Sequence, residues 1–175
     1  MNTFVEIIKY TAPLIILLIS VMMILNHFAK REKEKLRYDI IKESNKIITP
    51  IRLQAYERII LFLERIRPDN MALRITRPNM TAKQLQIKML STLRNEFNHN
   101  LSQQLYISDE AWAATVYAKE QIVGLINLTG TKVDPETVST AFTAKLIEQY
   151  NETGNKPVET AVAVIKREAA AFFGI

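Results

Sequence analysis

Read as apolar and polar positions, the chain changes texture twice. Residues 10–29, "YTAPLIILLISVMMILNHFA", are 20 residues without a formal charge, set between Lys9 and Lys30. Residues 30–49, "KREKEKLRYDIIKESNKIIT", are dominated by charge, with apolar side chains only at intervals. From residue 50 onward apolar positions return at helical spacing, interrupted by Pro, Gly, Asp or Thr. Three segments follow: 1–29 as N-terminal tail and membrane anchor, 30–49 as a charged helical stalk, and 50–175 as an α-helical bundle.

The uncharged run predicts a single transmembrane helix, because at about 1.5 Å per residue it matches a hydrocarbon layer roughly 30 Å thick. It ends in Asn26-His27-Phe28 and then charges, not in a small-residue cleavage site, so an uncleaved anchor is expected. Pro13 falls near its start, and Asn26 and His27 at its far edge, where polar groups reach lipid headgroups. Lys30, Arg31, Lys33, Lys35 and Arg37 crowd the C-terminal flank, against Lys9 before the run. Positive flanks stay inside, which predicts an N-terminus outside and the bulk of the chain in the cytoplasm. On that topology the Asn-x-Ser/Thr triplets at Asn79, Asn100, Asn127 and Asn151 never meet the glycosylation machinery.

The stalk carries seven basic and four acidic residues, suited to i,i+3 and i,i+4 pairing along a solvated helix. Ile40-Ile41 and Ile47-Ile48 lie seven apart, with Leu36 one turn earlier, which is heptad spacing. Two repeats are too few to define a coiled coil. Leu36, Ile40 and Ile47 are the positions it offers for self-association into a homo-oligomer, and packing against the following domain is the competing use.

In the bundle, Thr49-Pro50 reads as an N-cap with Pro at the first helical position, opening a helix to about Arg67. On a helical wheel Ile51, Phe62, Ala55, Ile66, Ile59, Leu63, Tyr56, Ile60 and Leu53 fill an apolar arc of about 200°, as expected of a central helix. Leu61 sits alone in the polar arc. "PDNMALRITRP" is too short and aperiodic for a helix and is expected to be an extended crossover. Thr81 with Gln84 forms a capping box ahead of a stripe through Met89, Leu93, Phe97, Leu101 and Leu105. Ser108 opens the next helix, which Thr129-Gly130 should stop. Asp134-Pro135 opens another and Pro157 the last. The expected class is all-α, with about five bundle helices joined by short loops.

Composition narrows the chemistry. With four Gly and six Pro the chain is poorly supplied for hairpins, and the absence of Cys removes disulfides and thiolate metal sites. His99 follows Glu96 at the spacing of a di-iron half-site, but no second such pair exists, so no metal or cofactor is expected. No G-x-S-x-G turn or Gly-rich phosphate loop is present, which argues against an enzyme. The sequence pI is about 9.4, yet from residue 50 onward basic and acidic residues number 15 and 13. That near-neutral bundle argues against nucleic acid as partner, although Arg65, Arg67, Arg74 and Arg77 gather within thirteen residues, countered there by Asp69. With Leu61 they are the candidate contact for a partner protein.

"TPIRLQAYERIILFLERIRPDNMALR", "NEFNHNLSQQLYISDEAW" and "IVGLINL" together resemble an uncharacterised family of single-pass membrane proteins from Bacteroidota, a domain of unknown function. The resemblance covers nearly the whole chain and implies a bacterial inner membrane; it assigns no catalytic or binding residue. The expectation is a membrane-anchored scaffold or accessory subunit that touches the lipid bilayer and other membrane-complex proteins. Membrane-tethered nucleic-acid binding is the alternative, with an enzyme or cofactor-binding bundle behind it.

Overall fold

A computed structural model describes the backbone of residues 2–154 and 156–174, with side chains from Ile15 onward in those ranges. Among the described residues six α-helices follow one another: α1 (Asn2–Ile66), α2 (Pro68–Ile75), α3 (Ala82–Asn100), α4 (Asp109–Lys132), α5 (Ser139–Glu152) and α6 (Pro157–Phe173). A 3-10 turn, Leu101–Leu105, joins α3 to α4. The chain divides into two compact units, residues 1–49 and 50–175.

Unit 1 is helical, with large apolar side chains exposed from Ile15 through Leu25. Among the described residues no helix is long and apolar enough to cross a membrane. Positions 10–14 of the uncharged run, Pro13 included, and Lys9 lie outside the residues whose side chains are described. A stretch of about 18 residues counted from Ile15 takes in Lys30, Arg31 and Glu32, which is why the described part alone falls short. Leu36, Ile40 and Ile47 are exposed on the same helix, as are Lys30, Arg31, Lys33, Lys35 and Arg37.

Thr49-Pro50 does not open a helix, contrary to expectation, since α1 runs through it. Proline's fixed φ is itself helical, so the cost is one backbone donor and crowding at the carbonyl four residues back. Helix-compatible sequence on both sides, including the Glu43–Lys46 pair at 2.7 Å, carries the helix across.

Unit 2 closes around the last turns of α1. Of the expected arc Ile51 and Leu53 are exposed and Ile60 is half-buried, whereas Ala55, Tyr56, Ile59, Phe62, Leu63 and Ile66 are all buried. They join Met71 of α2, Leu85, Met89 and Leu93 of α3, Ile122 and Ile126 of α4, Phe142 and Leu146 of α5, and Val158 and Ile165 of α6. Helix α4 packs extensively against α6.

The expected crossover is instead the helix α2. Pro68 supplies its first turn, Asp69 favours the positive end of the helix dipole, and Met71 and Ala72 bury one side. Eight residues are too few to show periodicity in the sequence, so burial holds a helix that pattern alone misses. The chain leaves it through Arg77-Pro78-Asn79-Met80, where Asn79 takes φ 62° and Met80 N–H donates to the Arg77 carbonyl at 3.3 Å.

Thr81 caps α3 reciprocally with Gln84, at 3.3 and 3.1 Å. The stripe expected beyond α3 breaks, because the turn at 101–105 leaves Leu101 and Leu105 exposed. Gly130 does not stop α4, which continues to Lys132; the Gln86 amide fills the space a Cβ would occupy there. Asp134-Pro135 builds a turn ahead of α5, with Asp134 accepting from Glu136 N–H at 3.0 Å and Thr137 N–H at 3.1 Å. Ala82 N–H to Thr137 O at 2.8 Å and Ser139 N–H to Met80 O at 2.9 Å then tie the starts of α3 and α5 together.

Leu63→Ala, at a position with 0% exposure, should lower the unfolding free energy by about 2–5 kcal/mol, as core truncations do. Leu61→Ala, at 51%, should change it by less than about 0.5 kcal/mol. Urea denaturation of the full chain followed by helicity checks this; equal losses would show that the inward face is misassigned.

Candidate functional site

The helical spacing that sends Ile59, Phe62, Leu63 and Ile66 inward sends Arg58, Leu61 and Arg65 to the other side of α1. There they meet the end of α3. Arg58, Leu61, Phe62, Arg65, Glu96, His99 and Asn100 line a cleft of about 190 Å³. Phe62 is its buried floor, tilted against Phe97, which in turn stacks on Trp112, and Leu61 forms an exposed apolar wall.

Glu96 organises the charge. Its carboxylate accepts from Arg65 Nη1 at 3.3 Å and from Arg74 Nη1 at 3.3 Å, while its side chain is 19% exposed. Arg74 Nη2 also donates to the Arg65 carbonyl at 3.0 Å, and Asn100 donates to the Glu96 carbonyl at 2.8 Å. Arg58 and His99 side chains have no hydrogen bond or ion pair among the described residues. The Glu96-x-x-His99 pair is therefore committed to arginine on its Glu side. Among the described residues no group of three or more His, Cys, Asp or Glu could hold a metal ion.

The arginine cluster divides. Arg65 and Arg74 share Glu96, whereas Arg67 turns to Asp69 at 3.2 Å and Glu64 at 3.5 Å. Arg77 is exposed in the turn after α2. Two of these carboxylates, Glu64 and Glu96, lie outside the stretch in which sequence counted Asp69 alone. Arg58 escaped the sequence reading, although Arg58, Leu61/Phe62 and Arg65 recur every three or four residues and so share a helix face.

A second concavity, about 490 Å³, lies between α2 and α5 and is lined by Ala72, Leu73, Thr76, Thr143, Ala144 and Ile147 among others. It is largely apolar, and Leu73 beside it is 85% exposed. Thr143 Oγ1 is buried there without a hydrogen-bond partner.

A third cluster is structural. Arg52 Nε donates to the Tyr106 carbonyl and Arg52 Nη2 to Tyr56 Oη, both at 2.9 Å; Tyr56 Oη donates to Glu168 at 2.9 Å. Ser108 donates to Glu168 through its backbone N–H at 2.9 Å and through its hydroxyl, while accepting from Ala111 N–H as the cap of α4. The Arg52 guanidinium lies 3.9 Å over the Phe172 ring. One carboxylate on α6 thus fastens α1 and the start of α4. Burial pushes the Glu168 carboxyl up, but the Ser108 and Tyr56 hydrogen bonds and the Arg52 charge outweigh it, and the net shift is downward.

The chain belongs to a family of unknown function, DUF7935, whose profile matches residues 2–172. No curated protein and no solved structure matches it.

A carboxyl whose folded pKa lies below its unfolded value of 4.5 contributes stability above pH 4.5, and loses it as pH falls through the folded value. Glu168→Gln should therefore cost about 2 kcal/mol at pH 7, the scale of hydrogen bonds to a charged group. The difference from the unaltered chain should close on acidification below pH 4.5. Urea midpoints of both chains across the acid range measure it; a pH-independent difference would remove the charge from the explanation.

Proposed function

We propose that this chain is a membrane-anchored protein-interaction module. In this reading it is a scaffold or accessory subunit of a bacterial inner-membrane complex, with no catalysis of its own. The run 10–29 is the single-pass anchor, the N-terminus is outside, and unit 2 is the cytoplasmic part that meets partners. The resemblance to single-pass proteins of Bacteroidota belongs to the same reading.

One observation carries it. From Ile15 to Leu25 every Ile, Leu, Val and Met on α1 is between 47% and 67% exposed, around the whole helix, and Phe28 is 63% exposed. Each such side chain gains about 1.5–3 kcal/mol from leaving water, a sum no solvated helix forgoes. An apolar stripe would suit a partner helix; apolar residues on every side suit lipid. Positions 10–14 extend the uncharged run to the 20 residues a span needs. The interaction half of the reading draws on the apolar groove beside exposed Leu73 and on the exposed Leu36, Ile40 and Ile47.

Alkaline carbonate extraction of host membranes should leave the full chain in the pellet. Leu18→Arg combined with Met22→Arg should release it, since each arginine costs about 2.5–3.5 kcal/mol at a span's centre. A reporter fused after the last residue should be active in the cytoplasm. Detergent-solubilised chain, crosslinked in native membranes first, should run larger than a monomer. Release of the unaltered chain by carbonate, a periplasmic reporter signal, or a bare monomer with no specific crosslink would each overturn the corresponding part.

A further inference from the structure

We propose that the cleft between α1 and the end of α3 is a binding site for a phosphate monoester dianion, held by Arg58 and Arg65 with His99 at the side. The site does not depend on the anchor. Its basis is a local charge imbalance in a unit otherwise close to neutral.

Glu96 is one carboxylate facing two guanidiniums, Arg65 and Arg74, so that trio keeps one positive charge. Arg58 lines the same cleft without a counter-ion among the described residues and adds a second. Two uncompensated charges match a dianion; a lone carboxylate ligand would leave one of them unanswered.

The donors match as well. Arg65 meets Glu96 through Nη1 alone, at 3.3 Å to each oxygen, longer than the roughly 2.8 Å of a strong charge-assisted bond. Among the described residues its Nε and Nη2 carry no hydrogen bond, and neither does any side-chain nitrogen of Arg58 or His99. A planar guanidinium with free neighbouring N–H groups binds two oxygens of one phosphoryl group at once. The 19%-exposed Glu96 holds the Arg65 guanidinium in place beforehand, so less side-chain freedom is lost on binding.

Size selects the class of ligand. About 190 Å³ is room for roughly six waters, below the several hundred Å³ typical of a site that engulfs an organic molecule. The cleft takes the phosphoryl group and a short stem, with the body resting on the exposed Leu61. A soluble phosphorylated metabolite and a monoester lipid headgroup present the same chemistry.

The test titrates the full chain in detergent with inorganic phosphate, phenyl phosphate, and a short-chain phosphatidic acid carried in the same micelles, read by calorimetry. All three should saturate. Tighter binding of phenyl phosphate points to a soluble ester, and tighter binding of phosphatidic acid to a lipid headgroup; either supports the site. Arg58→Ala should weaken inorganic phosphate about tenfold, the loss of one charge-assisted contact, without loss of helicity, since Arg58 is exposed. Arg58→Lys should recover part of the binding, and Arg77→Ala, outside the cleft, should change nothing. No saturable phosphate binding, or an equal effect of Arg58→Ala and Arg77→Ala, would overturn the proposal.

Discussion

Burial of one face of α1 between Ala55 and Ile66 is the constraint on which unit 2 depends. Tyr56, Ile59, Phe62, Leu63 and Ile66 are 2% exposed or less, and helices from every later part of the chain pack around them. Once these side chains are fixed, the helix from residue 50 to 66 has no rotational freedom. Arg58, Leu61 and Arg65 must then face the end of α3, and Arg52 must lie near the start of α4. The core and the polar clusters are two consequences of one helical phase, and a slip of one residue would dissolve both.

Much of this phase is legible in the sequence, because a wide apolar arc broken by charges at regular spacing has few other solutions. The Thr81 capping box and the Ser108 cap are legible for the same reason: each is a local contact between residues three apart. What sequence misreads depends on partners distant in the chain. Pro68–Ile75 is helical because Met71 and Ala72 find a buried place, and eight residues show no period. Gly130 looks like a stop until Gln86 of α3 is seen to occupy the space beside it. Thr49-Pro50 looks like a start until the helix before it proves continuous.

The candidate site divides along the same line. Leu61 stands out in the sequence because it interrupts a polar arc, and Arg65 because it belongs to a cluster of arginines. Arg58 does not, since an arginine on a polar face is ordinary until Glu96 and His99 of α3 are brought opposite. Glu96 reads in sequence as half of a metal motif with His99, and in space as the counter-ion of Arg65 and Arg74. Proximity in sequence suggested the first pairing; helix packing, which brings guanidiniums from two other helices to the carboxylate, produced the second.

Glu96 also sets how the cleft behaves electrostatically. Three unbalanced arginines would repel one another and leave their side chains extended into water, where each contributes little. A single part-buried carboxylate draws two of them together and keeps them ordered, yet cannot neutralise both. Residual charge and order in one place are what an anion site requires, and a second carboxylate would remove the first while a missing one would remove the second. Arg67 illustrates the alternative: with Asp69 and Glu64 both within reach its charge is fully answered, and it serves to hold α1 against α2. The difference between a structural arginine and a receptive one is therefore the ratio of carboxylates to guanidiniums around it, not its exposure.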